Sequence, residues 1–369
     1  MRFPGFEGEW DKLKVRDFTR VVAGATPATD KKEYWGGVIR WMNSGELNLK
    51  RVYEVQGRIT QLGYDKTSTK IIPPHSVLIG LAGQGKTRGT AAMNYVELCT
   101  NQSIASILPS DSFYSEFLYQ NVESRYKELR DISSGDGGRG GLNLQMIYNL
   151  YIPHCSMQEQ KKIGDFLYLL DQRIAIQNKV IEKYESLIKA LRHHLFSTLE
   201  SVKEVPVADL LSYEQPTKYI VSDTEYSNNT DLTPVLTANK AFILGYTDEV
   251  EGIYDKGPCI ILDDFTLDFK IVEFPFKVKS SAIKILSAKT TVSLRYIFEY
   301  LKFLDLNTEE HKRHYIAEIE PMSIELPEED TIKSIAFLFD LMDKRRKGLE
   351  RDQQLLKSQK DYLLREIFI

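Results

Sequence analysis

The stretch Gly80-Leu81-Ala82-Gly83-Gln84-Gly85-Lys86-Thr87 satisfies the pattern GxxxxGK[ST] and follows the apolar run Val77-Leu78-Ile79. On a strand-to-helix turn such a loop holds phosphate on backbone amides at the helix N-terminus, while its Lys and Thr serve phosphate and Mg²⁺. The residues that follow speak against a helix, because Gly89 falls in what would be its first turn and Thr100-Asn101-Gln102 interrupts soon after. Cys259-Ile260-Ile261-Leu262-Asp263 has the form of the companion strand whose Asp holds Mg²⁺, but it lies far along the chain, and no doubly wound βαβ series surrounds either segment. The same loop suits a different task. Glycines 80, 83, 85 and 89 let backbone approach DNA closely, and Gln84, Lys86, Thr87 and Arg88 supply donors for phosphates or base edges. A P-loop NTPase is therefore the alternative, and a Gly-rich recognition loop the favoured reading.

Other residues with chemical potential are sparser. Asp255 followed by Asp268-Phe269-Lys270 imitates the acid, acid, lysine set of a Mg²⁺ nuclease, a trio that chance supplies often. His311-Lys312-Arg313-His314 is a basic cluster suited to phosphate or base contact, although Glu309 and Glu310 precede it and offer neutralisation. Arg139, Asn239, Lys240 and Lys270 complete the candidate DNA contacts, with Lys312, Arg313 and His314. Lys344-Arg345-Arg346-Lys347 sits in a helical pattern and reads as a solvated face. Cys99, Cys155 and Cys259 are odd in number, with no CxxC pair and no histidine at metal-ligand spacing, which argues against disulfide scaffolds and zinc modules. No NPPY-type sequence or GxGxxG is present, so nothing points to a resident methyltransferase or dinucleotide site.

The elements that must carry these residues are written in the apolar spacing. From Gln158 to about Leu199 there is no proline, and Ile163, Leu167, Leu170, Ile174, Gln177, Ile181, Tyr184, Ile188, Leu191 and Leu195 advance by alternating steps of four and three. That is a heptad seam, and the helix it predicts is on the order of 60 Å long, too long for the wall of one compact domain. Pro153 and Ser156 precede it, with Glu159 placed to close a capping box. The design returns 172 residues later in Ile335, Phe339, Met342, Leu349, Leu356, Leu363 and Ile367, where Leu170-Asp171-Gln172-Arg173 meets Met342-Asp343-Lys344-Arg345. This reads as an internal duplication. The second seam is wetter, with Arg346, Gln353 and Lys360 at core-type positions, and Leu338, Leu355 and Tyr362 are expected to widen its apolar face. Matching seams most simply bury each other; the alternative is two unrelated amphipathic helices, each packed on its own domain.

A length of 369 residues allows two or three domains. Hydrophobic content of 42% and charged content of 27% exclude disorder as the main state. No run approaches the 18 or so apolar residues of a membrane helix, and the N-terminus has no signal-peptide pattern, so a cytoplasmic protein is expected. The net charge of -4 gives no global attraction to a polyanion; any nucleic-acid site must be local or completed by partners. Short β-type runs at Ser76 to Ile79, Ile104 to Leu108, Cys259 to Leu262 and Ala282 to Leu286 mark two α/β or α+β segments with long loops, where recognition usually sits.

With these residues in view, the chain resembles the DNA-specificity (S) subunit of Type I restriction-modification systems over its whole length. The helix opening at Pro153 to Ile174 fits PxxxxQEQKKIGxFLxxLDxxI, Gly24-Ala25-Thr26-Pro27 and Glu33-Tyr34-Trp35-Gly36-Gly37 with Trp41 match the family's GGTPS, EYWGG and IxW signature, and Asn101-Gln102 matches its later NQ. The second mixed segment lacks the first two runs and the second helix lacks the EQ dipeptide. The resemblance implies a mixed α/β (α+β) chain in four parts: target recognition domains at 1–152 and 201–326, and long helices at 153–200 and 327–369 packed as an antiparallel coiled coil with a pseudo-two-fold duplication. It implies a non-enzymatic subunit that reads a bipartite double-stranded DNA site and docks two methyltransferase (M) subunits and restriction/translocase (R) subunits. No cofactor is expected in this chain; S-adenosylmethionine, ATP and Mg²⁺ are expected in the partners, and no membrane role. A coiled-coil scaffold without a DNA role is the remaining alternative.

Overall fold

The computed structural model describes residues 2–83, 87–133, 141–237, 242–306 and 314–368. The chain divides into two compact units, Met1–Asn178 with Asp352–Ile369, and Lys179–Arg351. Both predicted long helices form, over Met157–Ser197 and Glu329–Phe368, and each is shared between the units.

The first unit is built on a five-stranded sheet in the order Val21–Ala23, Ile104–Ile107, Val77–Gly80, Ala91–Asn94, Arg51–Val52, antiparallel except for its last pair. Its strands are short and buried, and Phe117, Tyr119 and Val122 of the helix Ser115–Ser124 share a core with the long-helix residues Ile163, Leu167 and Leu170. A smaller sheet places Trp35–Met42 between Arg58–Ile59 and Cys99–Thr100. The second unit has a four-stranded antiparallel sheet in the order Leu211–Glu214, Ile283–Ala288, Cys259–Asp263, Phe269–Val272, with the helix Leu294–Phe303 packed near it.

The duplication read from the long helices extends to the wiring. In each unit a ribbon strand, Asp11–Lys14 or Lys203–Pro206, runs into a one-turn helix opened by a buried valine, Val15 or Val207. That strand pairs antiparallel with the one preceding a long helix, Tyr151–His154 or Ser323–Leu326. Each unit also carries a ten-residue helix, Ser115–Ser124 or Leu294–Phe303.

Within each unit the long helices run antiparallel. Lys360 Nζ meets Asp171 at 2.5 Å and Gln353 donates to Asn178 in the first unit, while Arg192 lies over the Phe339 ring at 5.7 Å in the second. All the seam residues are buried or half-buried: Ile163, Leu167, Leu170, Ile174, Ile181, Tyr184, Ile188, Leu191 and Leu195 on one helix, and Ile335, Phe339, Met342, Leu349, Leu356, Leu363 and Ile367 on the other. The polar seam positions are satisfied rather than wasted, since Arg346 pairs with Asp343 and Glu350, and Lys360 with Asp171 and Glu123. Leu355 and Tyr362 do not widen the seam; they point outward, more than half exposed.

The opening of the first long helix explains its motif. Ser156 Oγ accepts from Glu159 N at 3.3 Å, but the Glu159 carboxylate does not close the expected capping box. It takes the Arg2 guanidinium at 2.7 Å and the Trp10 indole at 3.3 Å, tying down the N-terminal segment. The buried Gln160 amide accepts from Tyr114 N and donates to the carbonyls of Ser112 and Cys155. Gly164 lets the helices pack closely, since a Cβ there would stand 3.0 Å from Phe117 N and from the Tyr114 ring.

Candidate nucleic-acid interface

The signature residues of the first unit, separated by up to about 80 positions, converge on the small sheet around Trp35–Met42. Gly24 is obligatory there, since a Cβ would lie 1.8 Å from the Thr100 carbonyl oxygen, the same oxygen that accepts from Ala25 N at 3.0 Å. The Trp41 indole donates to the Ala25 carbonyl at 3.0 Å and the Trp35 indole to that of Ala28 at 3.1 Å, and the two rings meet edge to face at 5.0 Å. Gly36 adopts φ +79°, and Gly37 lies so close to Ile59 that a Cβ would stand 2.4 Å from its carbonyl oxygen. Thr26 Oγ1 donates to Gln102 at 2.6 Å, and Asn101 Oδ1 accepts from Ser103 N. A side chain that clasps backbone is spent on shape, so the two tryptophans and the close-packed glycines hold the loops 25–34 and 60–70 in place.

What the two loops present outward is different in kind. Lys31 and Lys32 on the first and Gln61, Lys66 and Lys70 on the second are exposed, and the loops are tied together by Thr60 N donating to the Tyr34 carbonyl and Thr60 Oγ1 to that of Glu33. These scattered Lys residues carry no motif in the sequence, and their loops are brought together only by the contacts of Thr60 with Glu33 and Tyr34.

The Gly-rich loop is not a phosphate loop. Val77–Gly80 and Ala91–Asn94 pair antiparallel, with Ile79 opposite Ala91, and the described residues 87–90 between them form a turn rather than a helix N-terminus. Gly89, at φ +79°, donates back to the Gly80 carbonyl at 2.9 Å and closes the hairpin. Thr87 Oγ1, which would bind Mg²⁺ in an NTPase, donates to the Ala82 carbonyl at 3.2 Å. Asp263 is equally occupied: it is buried and accepts from Phe265 N and Thr266 N in its own turn. Of the nuclease-like trio, Asp268 and Lys270 do meet, at 3.6 Å, but Asp268 is also held by Lys302 at 2.8 Å, and the described residues contain no metal-holding group of three or more His, Cys, Asp or Glu.

Of the proposed contacts, Thr87 and Arg88 are half-buried at the base of the hairpin loop, and Lys270 is half-buried with its ammonium 5.1 Å from the Phe242 ring. His314 is a correction. It is 1% exposed, its backbone N–H donates to Asp264, and its Nδ1 lies 2.8 Å from Glu318, so a core position has claimed it. Gln84, Lys86, Arg139, Asn239, Lys240, Lys312 and Arg313 lie outside the described residues. The cysteines are free thiols: burial pushes Cys99 up to about 11 and Cys155 and Cys259 up to about 12, which makes thiolate chemistry at neutral pH negligible.

The chain is thus two units of matching wiring that share two long helices, with a glycine-clasped small sheet in the first. Residues 7–186 match the model of the Type I restriction modification DNA specificity domain. The chain is 43% identical over 132 residues to the specificity subunit of Type I restriction enzyme EcoR124I/EcoR124II of Escherichia coli, covering 34% of this chain and 32% of that one. It is 32% identical over 200 residues to the MjaIX specificity subunit of Methanocaldococcus jannaschii, covering 53% and 45%. These matches span a third to just under half of the length of those curated relatives. The fold is shared over 100% of this chain and 99% of the S subunit of the Type I system from M. genitalium, with a TM-score of 0.64 at 15% identity. None of the described helices is long and apolar enough to cross a membrane.

Proposed function

We propose that this chain is a specificity subunit that recognises a bipartite double-stranded DNA target and directs methyltransferase and restriction subunits to it. The carrying observation is the doubled wiring. One recognition unit with a ribbon, a sheet and a short helix is built twice on the same pair of helices. Residues 1–152 and 201–326 act as the two target recognition domains. In the first, the lysine-bearing loops and the Gly-rich hairpin meet DNA, with Gln84, Lys86, Thr87, Arg88 and Arg139; in the second, Asn239, Lys240, Lys270, Lys312 and Arg313 are the candidates. The sequences of the two domains differ, so the half-sites differ. The helices serve as spacer and as docking surface for two methyltransferase subunits.

The chain itself performs no catalysis in this reading. S-adenosylmethionine belongs to the methyltransferase subunits, ATP and Mg²⁺ to the restriction subunit, and the complex works in the cytoplasm, where its DNA is. The test is selection of random duplex DNA by the chain assembled with its methyltransferase subunits, together with methylome sequencing of the host. A split motif with two unlike halves is expected; recovery of no enriched sequence by the assembled complex would refute the reading.

A further inference from the structure

A groove of about 860 Å³ runs along the first unit between the helix Tyr126–Ile132 and the last turns of the long helix Glu329–Phe368. Its lining holds six Lys or Arg against three Asp or Glu, in a chain whose net charge is -4. Internal pairing accounts for half of those cations: Lys360 and Lys50 share Glu123 at 3.0 and 3.5 Å, and Arg125 holds Glu128 at 2.5 Å. The others, Lys12, Lys127 and Arg365, are exposed and form no ion pair with the described residues. Tyr126 and Tyr151 expose ring surface in the same groove, with Tyr151 about half accessible.

We propose that this groove takes the phosphate–sugar edge of the DNA duplex as a sequence-independent grip, in addition to the base-reading loops. The proposal rests on the reading of the chain as a DNA-recognition subunit. Three unneutralised cations along an open trough match an extended polyanion, and each phosphate they neutralise releases counterions from the DNA. The tyrosine faces suit deoxyribose. An acidic protein segment is the competing occupant, but protein interfaces are depleted in lysine and enriched in arginine, and four of these six cations are lysines. Lysine and arginine contacts to phosphate position a protein without reading sequence, which is the role assigned here.

The test uses the full chain assembled with its methyltransferase subunits, and two duplexes of equal length, one carrying the target and one lacking it. Lys127→Ala combined with Arg365→Ala is expected to flatten the log–log salt dependence by about two on both duplexes, so that raising salt from about 50 to about 200 mM costs the variant about tenfold less affinity than it costs the wild type. The preference for the target stays the same, and Lys127→Arg with Arg365→Lys keeps the wild-type slope. An unchanged slope in the alanine variant overturns the grip. So does loss of methyltransferase assembly with an unchanged slope, which would give the groove to an acidic protein partner. If the wild-type complex prefers no sequence, it is the recognition reading that fails; the slope on either duplex still decides the groove.

Discussion

Asp171 is the charge on which the first unit closes. It accepts from Arg51 at 2.8 Å, Gln120 at 2.7 Å and Lys360 at 2.5 Å, while Arg51 also grips Glu116 with two nitrogens and lies over the Tyr119 and Tyr168 rings. Burial by itself pushes the Asp171 carboxyl up, but Lys360 and Arg51 outweigh it and hold the group below its usual value. A depressed carboxylate contributes stability that is present above its unfolded value, about 3.9, and is lost as pH falls through the folded one. Asp171→Asn should therefore be less stable than wild type at pH 7, and the gap should narrow as pH is lowered below about 4. Lys360→Met should cost roughly 2 to 3 kcal/mol at neutral pH, less than a fully orphaned buried charge because Arg51 and Gln120 remain. Urea unfolding as a function of pH measures both; a gap that does not change with pH would mean Asp171 is not ionised in the fold.

At the scale of the element, two glycines in the long helices separate propensity from packing. In an isolated helix, glycine costs about 1 kcal/mol relative to alanine, so either substitution to alanine should help. Gly348 has nothing within 4 Å of the place its Cβ would take, whereas that of Gly164 would press on Phe117 N and the Tyr114 ring at 3.0 Å. Gly348→Ala is expected to raise the thermal midpoint, by a gain of about 0.5–1 kcal/mol. Gly164→Ala is expected to lower it, because the helix Ser115–Ser124 must move away. Thermal unfolding followed by circular dichroism distinguishes the two, and equal shifts would show that the Gly164 contact carries no weight.

For the whole molecule, the proposed spacer role has a length to test. In the second unit Phe339 against Arg192 sets an antiparallel register, and continuing it within that unit puts Leu349 opposite Glu182. Four residues inserted after Glu182 and four after Leu349 add about 6 Å of helix each and nearly one turn, so the seam stays matched. At about 3.4 Å per base pair, the methylated half-sites should move apart by about two base pairs while their sequences stay the same. Methylation of plasmid libraries with varied spacing reads the result; an active, assembled variant that keeps the original spacing would show that the helices are not the ruler.

The sequence by itself determined the two long helices, their seams and the duplication, because a period of 3.5 residues repeated over so many turns has only one economical burial. It also marked which residues matter in the first unit: Gly24, Trp35, Gly37, Trp41 and Gln102 stand out as motif. Their job was not legible. Only the tertiary structure showed that the tryptophans donate to backbone carbonyls, that the glycines let strands approach closely, that Gln102 takes the Thr26 hydroxyl, and that lysines beside them stand exposed. The Gly-rich loop makes the same point in reverse. Its pattern is local, but whether it opens a helix or closes a hairpin depends on what lies beside Val77–Gly80, and the partner there is Ala91–Asn94. His314 was misread for a like reason: a basic run looks exposed until a buried Asp264 reaches its backbone. Periodicity is a property of neighbours in sequence, whereas the pairing of strands and the burial of a single polar residue are settled by contacts that close loops of many residues, whose cost and reward no short window of sequence contains.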